Sequence, residues 1–390
     1  MRQVKIGIIG VGSMGQAHIS NIAALDNCRL TAVCDIDGEK LKRFQTEKDI
    51  KAFGYSGSFF READVEAVII ATPHYFHNTL AIEAFEHGKH VLTEKPIAVH
   101  KADAESMIAA AAKHPELKFA AMFNQRTIPA HRKIKQLIDD GELGEIRRIN
   151  WIITDWFRTE IYYASGDWRA TWKGEGGGVL LNQCPHQLDL LQWFFGVPSK
   201  IRANMAFGKY HKIEVEDEVT AFLEYPNGAT GVFIASTGEA PGTNRLEISA
   251  ERGRLVYENG KIEFKRNEIP VSEFSAATDK RFGIPEFWNV EIPASDSNPF
   301  QHRDIIEDFS NAIIKNTQVM TPAAEGINSL EIGNAMLLSA LQDKTVELPM
   351  DSAEFAREMQ KLIDNSKFTK KLLLERAPTR ISVNHFNLGR

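Results

Sequence analysis

Three glycines near the N-terminus have the type and spacing that dinucleotide binding requires. They lie in Gly10-Val11-Gly12-Ser13-Met14-Gly15, a G-x-G-x-x-G segment between a short apolar run and a helix-like stretch. In such a motif the first glycine permits a sharp turn, the second lets the backbone approach a pyrophosphate, and the third lets helix and strand pack closely. The helix that starts here directs free N–H groups and the positive end of its dipole at the anion. The segment therefore predicts a dinucleotide site.

An acidic residue, Asp35, follows 20 residues after Gly15, at the end of the second apolar run. A carboxylate there can accept hydrogen bonds from both ribose hydroxyls of NAD and would repel the 2′-phosphate of NADP. Asp37 adds to that repulsion, and the turn 34–38 contains no arginine, although Lys40, Lys42 and Arg43 lie a little beyond it. We therefore expect NAD rather than NADP.

Two further segments follow strand-like runs and carry polar side chains. One is Ala71-Thr72-Pro73-His74-Tyr75-Phe76-His77 and the other is Thr93-Glu94-Lys95-Pro96. Ligands of a doubly wound sheet gather at the carboxyl ends of its strands, so both segments are expected to face the cofactor. Lys95 can bind a substrate hydroxyl there and polarise it or pass on its proton, and Pro96 restricts its backbone. Without this context a Lys-Pro pair is more typical of a surface turn.

The elements that position these residues alternate between strand-like and helix-like segments through the first third of the chain. Short apolar runs lie at 4–10, 30–34, 67–71, 90–93 and 119–122, and helical stretches lie between them at 14–25, 39–48, 79–87 and 102–113. Strands buried on both faces of a parallel sheet have this apolar composition. The pattern predicts an α/β, doubly wound Rossmann domain over residues 1–125.

The pattern changes after about Arg126. A helix at 128–140 precedes a long alternating segment at 145–156, and further alternating segments follow at 201–207, 219–225, 229–236, 245–249 and 254–257. Asn227-Gly228 predicts a hairpin turn with positive φ angles, and helices are expected at 185–195, 300–316 and 323–341. Residues 126–349 are thus expected to form an α+β domain for substrate binding and oligomerisation. Its mostly antiparallel open sheet is covered on one face by helices, and its C-terminal helices can pack back on the first domain. Residues 350–390 would form a C-terminal helix and tail.

The composition excludes several classes of protein. With 46 Lys plus Arg against 52 Asp plus Glu, the formal charge is -6, which disfavours a nucleic-acid partner. Three cysteines without a C-x-x-C pair disfavour a disulfide framework or a zinc ribbon, so no metal is expected. No apolar stretch approaches the ~18 residues of a membrane span, and the N-terminus has no signal-peptide pattern. We expect a cytoplasmic protein.

Together these residues resemble the family of glucose-fructose oxidoreductases, inositol dehydrogenases and rhizopine-catabolism proteins (Gfo/Idh/MocA). The resemblance runs from Val4 to about Pro349, and its most specific part is Gly88-Lys89-His90-Val91-Leu92-Thr93-Glu94-Lys95-Pro96. Further matching residues are Thr72-Pro73 with His77, Asn124 and Arg126, Trp168-Arg169, and Gly176-Gly177-Gly178-Val179-Leu180 leading to His186 and Asp189.

The resemblance implies hydride transfer between the nicotinamide and a secondary hydroxyl or ketone of a sugar, glycoside or cyclitol. In dehydrogenating relatives the lysine and histidine that match Lys95 and His186 contact the reacting hydroxyl, and an imidazole can accept its proton near neutral pH. Besides the glycine segment and Asp35, the cofactor-binding residues implied are Thr72, Pro73, His74, His77, Glu94, Lys95, Asn124, Trp168 and Arg169.

One position departs from the family pattern. Many members carry an aspartate four residues before the histidine, where this chain has Asn182. Residues i and i+4 share one helix face, so Asn182 is expected to hydrogen-bond His186 or a substrate hydroxyl. Asn182 cannot supply a negative charge. Lys95 is therefore the stronger candidate for handling the proton, and the identity of the general base stays open. Asp189 is expected to brace the helix instead.

Substrate specificity is expected from an aromatic and charged segment. Aromatic faces stack on the C–H surface of pyranoses, while Asp and Arg head groups bind hydroxyls. The candidate substrate-binding residues are Lys95, Arg126, Asp155, Trp156, Arg158, Tyr162, Asn182 and His186, with Trp168 nearby. The sequence shows no evident cluster of basic residues for binding a phosphate. Arg158 together with Arg169 could form such a cluster, but an unphosphorylated sugar or glycoside is favoured.

Three functions stay open at this point. The first is an NAD-dependent dehydrogenase of sugars or inositols, with C3 of a hexoside as one target position. The second is an enzyme whose tightly bound NAD is recycled within one turnover, in sugar-sugar oxidoreduction or oxidative glycoside cleavage. The third is a non-catalytic NAD-binding sensor. For each we expect a homo-oligomer, dimer or tetramer, that pairs through the open sheet.

Overall fold

Burial of successive residues on opposite faces of the first strands explains a sheet with helices on both faces. The computed structural model describes residues 2–369 of the 390-residue chain. Ile6 and Ile8 pack into one apolar cluster and Ile9 into another, on opposite faces. The strands are β1 Val4–Ile9, β2 Cys28–Cys34, β3 Lys51–Phe53, β4 Ala67–Ile70, β5 His90–Thr93 and β6 Phe119–Ala121. They pair in parallel in the order β3-β2-β1-β4-β5-β6, which confirms the doubly wound prediction.

Helices connect these strands close to their expected positions. They are α1 Ser13–Ala23, α2 Gly38–Leu41, α3 Ser56–Glu62, α4 His77–Glu86 and α5 Lys101–Ala111, with 3-10 turns at Lys42–Thr46, His74–Phe76 and Asn124–Thr127. Sequence reasoning missed β3 and α3. The three residues of β3 are too few to show a period, and α3 is only seven residues long.

The second sheet contains nine strands. They are β7 Ile146–Ile153, β8 Lys200–Phe207, β9 Glu216–Glu224, β10 Thr230–Ser236, β11 Asn244–Ala250, β12 Gly253–Glu258, β13 Lys261–Asn267, β14 Phe287–Ile292 and β15 Val346–Glu347. Their order is β14-β13-β12-β11-β7-β10-β9-β8-β15, and only β7 and β10 pair in parallel. The prediction of a mostly antiparallel sheet is confirmed. β13 and β14 were missed because β13 buries only Ile262 and Phe264, while β14 lies exposed at the edge.

Helices cover one face of this sheet. The remaining helices are α6 Pro129–Asp139, α7 Glu160–Ala164, α8 Pro185–Phe195, α9 Val271–Ala277, α10 Gln301–Lys315, α11 Gly326–Gln342 and α12 Ser352–Asn365. Side chains of α6, α8 and α11, such as Leu191, pack in one cluster with Trp151 and Phe233 of the inner face. On the other face Phe222 is 44% exposed, so this face is open.

The C-terminal helices return to the first domain. Ile305 and Phe309 of α10 share an apolar cluster with Ile6 and Ile8 of β1. The Lys101 ammonium of α5 lies 2.7 Å from the Glu331 carboxylate of α11, and both side chains are buried. These contacts fix the first sheet against the second domain. The predicted tail beyond α12 extends outside the described residues.

The Asn-Gly turn differs in detail from the prediction. The Gly228 N–H donates to the Tyr225 carbonyl and the Tyr225 N–H donates to the Ala229 carbonyl, so three residues close the hairpin. Gly228 has φ +84°, and Asn227 is not among the residues with positive φ. A type I turn followed by one left-handed glycine accounts for this loop.

In residues 2–369 no helix is long and apolar enough to cross a membrane.

Candidate active site

The glycine turn joins β1 to α1 with space for a ligand. Gly10 has φ +93°, and a Cβ there would lie 2.6 Å from the Ala71 carbonyl oxygen. A Cβ on Gly15 would collide with the Gly10 carbonyl oxygen, whereas one on Gly12 would meet nothing within 4 Å. Helix α1 starts at Ser13 without a side-chain cap or an acidic residue in its first turn. Its N-terminal N–H groups and dipole thus face open space that fits a pyrophosphate.

Asp35 is held at the rim of this turn by backbone. The Val11 N–H donates to Asp35 Oδ2 and the Asp37 N–H donates to Asp35 Oδ1, both at 2.9 Å. Each carboxylate oxygen keeps a second lone pair for a ribose hydroxyl. Lys40 Nζ lies 3.8 Å from Asp35 Oδ1 and 3.5 Å from Asp37 Oδ2, so it partly offsets their charge.

His77 ties the loops after β4 and β5 together. Its ring nitrogens lie 2.9 Å from the Thr72 carbonyl oxygen and 2.8 Å from that of Pro96. Burial lowers its pKa, despite the two carbonyl contacts. Both nitrogens lie within hydrogen-bond distance of backbone carbonyls, so His77 braces the two loops, and its contact with the cofactor stays a prediction. The Thr72 hydroxyl, by contrast, is buried without a hydrogen-bond partner.

Glu94 connects the lysine segment to helix α1. Its Oε1 lies 2.8 Å from His18 Nε2, and its Oε2 accepts the Lys95 N–H at 3.1 Å. Burial by itself would raise the pKa of Glu94, but the hydrogen bond and charge of His18, with smaller effects of His302 and Lys95, lower it to about 2. Glu94 is therefore an anion that is hydrogen-bonded within the protein. Its bond to the Lys95 N–H holds the backbone of Lys95 in place.

Lys95 places its ammonium beside the loop before α8. Its Nζ donates to the Asn182 carbonyl oxygen at 3.3 Å, and the side chain is half-buried. Burial lowers the pKa of Lys95, while Glu94 and Glu175 act to raise it. A lysine with a lowered pKa is suited to proton exchange.

His186 lies in the first turn of α8 and is buried. Its Nδ1 has no hydrogen-bond partner within the described chain. Burial lowers its pKa well below the usual value, with added repulsion from Lys95 and His302. The ring is therefore neutral at physiological pH and keeps an unpaired nitrogen.

Asn182 does not reach His186. Its side-chain amide donates to Glu175 Oε1, and its Oδ1 accepts the Tyr162 hydroxyl at 3.2 Å. Residues Val179–Gln183 form a π turn, in which the Cys184 N–H donates to the Val179 carbonyl. The extra residue in this turn breaks the i, i+4 relation on which the expected Asn182–His186 contact depends.

Arg126 is enclosed in an ion-pair cluster rather than directed at a substrate. Its guanidinium binds both oxygens of Asp189 at 2.6 and 2.8 Å and Glu325 Oε2 at 2.6 Å, and its side chain is 2% exposed. Both carboxylates bind the guanidinium within the chain, so the structure gives Arg126 a bracing role, and its contact with a substrate stays a prediction. This cluster also gives Asp189 its role, because its carboxylate binds the Arg126 guanidinium and so braces helix α8. Asn124 donates to Gln301 at 2.8 Å and leaves its Oδ1 buried without a partner.

Aromatic rings and guanidinium groups alternate along one wall of the site. Arg158 lies over the Trp156 ring at 5.1 Å and over the Tyr162 ring at 5.0 Å. Arg169 lies over the Tyr162 ring at 4.8 Å and the Trp168 ring at 4.5 Å. Trp156 Nε1 and Arg158 Nε are buried without a partner. Asp155 is exposed beside this wall, and Trp168 packs edge-on to His74 at 5.9 Å.

Three residues of the site escaped the sequence interpretation. His18 and His302 come from α1 and α10, and their rings lie 6.0 Å apart beside Glu94. Glu175 precedes Gly176 and was not singled out. No spacing in the sequence relates the two histidines, whereas the carboxylate next to three glycines was a usable signal. Among residues 2–369 no cluster of His, Cys, Asp and Glu side chains has the arrangement of a metal site.

Comparisons with known proteins agree with this architecture. Residues 4–121 match the model of an oxidoreductase family with an NAD-binding Rossmann fold, and residues 131–256 match the GFO/IDH/MocA C-terminal domain. The first domain is thus an NAD-binding Rossmann domain. The chain is 26% identical to levoglucosan dehydrogenase of Pseudarthrobacter phenanthrenivorans, over 90% of this chain and 100% of that protein. It is 24% identical to myo-inositol 2-dehydrogenase of Thermotoga maritima, over 66% and 75%.

A solved structure shares the fold over most of its length. The WlbA dehydrogenase of Chromobacterium violaceum, crystallised with NADH and UDP-GlcNAcA, superimposes with a TM-score of 0.77. The two chains are 26% identical, and the match covers 90% of this chain and 97% of the other.

Proposed function

Since the chain belongs to the Gfo/Idh/MocA family of oxidoreductases, we propose that it is an NAD-dependent dehydrogenase of a secondary hydroxyl on a sugar, glycoside or cyclitol. The observation that carries this proposal is the place of Lys95. It follows β5, its backbone N–H binds the carboxylate that also binds His18 of α1, and its ammonium extends to Asn182. A proton-exchanging group thereby lies next to the NAD-binding turn.

The residues around the turn fit NAD. We assign the pyrophosphate to the open space over Gly12 and the N-terminus of α1, and the adenosine ribose to Asp35. When bound, the nicotinamide exchanges a hydride with the substrate carbon. The buried, unpartnered Thr72 hydroxyl and Asn124 Oδ1 are candidate contacts for the rest of the cofactor. NAD is favoured over NADP because Asp35 and Asp37 present negative charge where a 2′-phosphate would lie.

Lys95 would handle the hydroxyl proton. As a neutral amine it accepts the proton of the alcohol during oxidation, and as an ammonium it returns that proton during reduction. The lowered pKa of Lys95 increases the neutral fraction near physiological pH. His186, a neutral imidazole with an unpartnered Nδ1, would bind the same hydroxyl.

The wall of Trp156, Arg158 and Tyr162 supports a polyol substrate. Unpartnered N–H donors on Trp156 and Arg158 suit hydroxyl oxygens, and the rings suit the C–H surface of a sugar. Relatives named for levoglucosan and myo-inositol support an unphosphorylated sugar, glycoside or cyclitol.

We further propose a homo-oligomer that pairs through the open face of the second sheet. This face is large and partly apolar, and Phe222 is exposed on it.

The test is turnover by purified protein with NAD or NADP and a panel of glycosides, free sugars and inositols. We expect nicotinamide reduction with at least one of these substrates, and a loss of about 100-fold or more in kcat for Lys95→Ala. Lys89→Ala is a matched control, because Lys89 lies at the other end of β5 and bonds the Val65 carbonyl. No reduction with any substrate, together with an unchanged Lys95→Ala protein, would overturn the proposal.

The panel also separates the remaining functions. An enzyme that recycles bound NAD would keep the cofactor through gel filtration and convert substrate without net NADH. A sensor would bind NAD in calorimetry but show no turnover with any substrate. The retained Lys95 and His186 favour catalysis over the sensor.

A further inference from the structure

A second buried carboxylate, Glu175, lies at the point where the loops of the site meet. Its Oε2 accepts the Ala170 N–H at 2.5 Å, and its Oε1 accepts the Asn182 side-chain amide. Its backbone carbonyl lies 3.2 Å from His74 Nδ1. Glu175 thus joins the segment after β4, the segment 168–178 and the π turn, although its side chain is only 3% exposed.

The backbone around Glu175 is arranged to receive it. Ala170, buried at 1% exposure, has φ +51°, a conformation that residues with a Cβ rarely adopt. The bond from its N–H to Glu175 compensates for the cost of this conformation. A carboxylate that is desolvated and bonded in this way acts on neighbouring charges through a low local dielectric.

Asn182 transmits the position of Glu175 to Lys95. Its side-chain amide is oriented by Glu175 at one end and by the Tyr162 hydroxyl at the other. Its backbone carbonyl accepts the Lys95 ammonium at 3.3 Å. Because both groups belong to one residue, the two bonds of the side-chain amide restrain the place of residue 182 and of the carbonyl that accepts Lys95. An aspartate at position 182 would carry a negative charge itself, whereas here the charge lies one hydrogen bond away, on Glu175.

We propose that Glu175 is the positioning residue of Lys95, supplying through Asn182 the negative charge that an aspartate at position 182 would supply. The inference rests on the proposed proton exchange by Lys95. Glu175 does not touch the reacting atoms in this arrangement. It sets the place of the ammonium and the pH at which Lys95 releases its proton.

Other groups also act on Lys95, and the test must separate their effects. Charged and titratable groups surround Lys95 from β5, the loops and helices α8 and α10. They are Glu94, Glu175, Arg158, Arg169, His74, His77, His186, His302 and the Cys184 thiol. Of the two carboxylates, Glu94 is bonded directly to the Lys95 backbone. Glu175 is therefore the one that can be changed without removing a direct bond to Lys95.

The experiment measures the titration of Lys95 without turnover. The full chain is labelled with a small amount of acetic anhydride across a pH series, and modification of Lys95 is quantified by peptide mass spectrometry. We expect Glu175→Gln to lower the labelling midpoint by about one pH unit, because an opposite charge near an ammonium raises its pKa. Glu214→Gln is the matched control, since Glu214 accepts the Trp172 N–H in the same loop from the surface. Its midpoint should equal that of the unmodified chain.

Returning the charge gives a second, independent arm. Glu175→Gln combined with Asn182→Asp should restore the midpoint, because it exchanges the charge and the amide while keeping the hydrogen bond between the two side chains. This exchanged pair keeps the test valid if Glu175→Gln alone does not fold. A Glu175→Gln midpoint equal to that of the control, or a double variant whose midpoint does not return to that of the unmodified chain, would overturn the inference. Loss of turnover in Lys95→Ala with unshifted midpoints would leave the proposed function intact. Shifted midpoints with an active Lys95→Ala would contradict that function alone.

Discussion

The carboxylate of Glu94 lies 2.8 Å from the His18 ring, so helix α1 of the NAD-binding turn is bonded to the segment that ends β5. Both side chains are buried, and the same carboxylate accepts the backbone N–H of Lys95. One anion thereby connects the cofactor turn to Lys95, the residue for which we propose proton exchange. The relative position of the two is set by this bond rather than by the loops alone.

Stability should depend on this anion at low pH. The folded-state pKa of Glu94, about 2, is below the ordinary value of 4.5, so its ionisation stabilises the fold fully above pH 4.5 and loses this effect as the pH falls towards 2. Glu94→Gln should therefore be less stable than the unmodified chain at pH 7, with a smaller difference at pH 3. Urea unfolding at both pH values measures this. An equal difference at both would contradict the assignment of the anion.

Two glycines of the turn should respond differently to an added side chain. Gly12→Val projects into open space, so we expect an unchanged Tm and NAD binding weakened at least tenfold. Gly15→Ala meets the Gly10 carbonyl within the protein, so it should lower the free energy of unfolding by about 1–3 kcal/mol. Thermal unfolding and calorimetric titration with NAD separate the two effects. Normal NAD affinity in Gly12→Val would place the pyrophosphate elsewhere.

Cofactor preference should follow the carboxylate of Asp35. Asp35→Ser removes the acceptor held by the Val11 and Asp37 N–H groups. It also leaves Lys40 with Asp37 as its one carboxylate neighbour among these two, so that its ammonium can better meet a 2′-phosphate. We expect the ratio of kcat/KM for NAD over NADP to fall by about tenfold or more, which corresponds to about 1.4 kcal/mol. Lys42→Ala serves as control, because its partner is Glu39. A ratio that does not change in Asp35→Ser would contradict the ribose assignment.

How much of this site follows from sequence depends on how local its contacts are. The fold class, the family and the NAD-binding domain are confirmed, because strand period, glycine spacing and the segment ending in Pro96 are local patterns. The π turn at Asn182 was not predictable from an assumed α-helical period. The burial of Arg126 depends on Glu325, which is 199 residues away along the chain. Such long-range pairing leaves no mark in local spacing.

Arg126 and Arg158 should differ in what they support. Arg126→Ala leaves Asp189 buried without its partner, which we expect to destabilise the protein by about 3–5 kcal/mol. Arg158→Gln, in the half-buried wall, should leave the free energy of unfolding within about 1 kcal/mol and raise KM for the substrate. Denaturant unfolding and steady-state kinetics on both variants measure this. A stable Arg126→Ala with a raised KM would instead support the predicted contact of Arg126 with the substrate.

Turnover should depend on pH through Lys95. Oxidation requires the neutral amine, and burial lowers the pKa of Lys95 below its ordinary value of 10.5. The kcat/KM for oxidation should therefore rise with pH and level off at a pH below 10.5, whereas reduction should show the opposite trend because it requires the ammonium. Lys95→Arg keeps the charge but cannot release a proton in this range, so it should bind NAD normally and lose about 100-fold or more in kcat. If Lys95→Arg kept its activity and its pH profile, the proton would leave through His186, whose neutral ring and free Nδ1 make it the alternative acceptor.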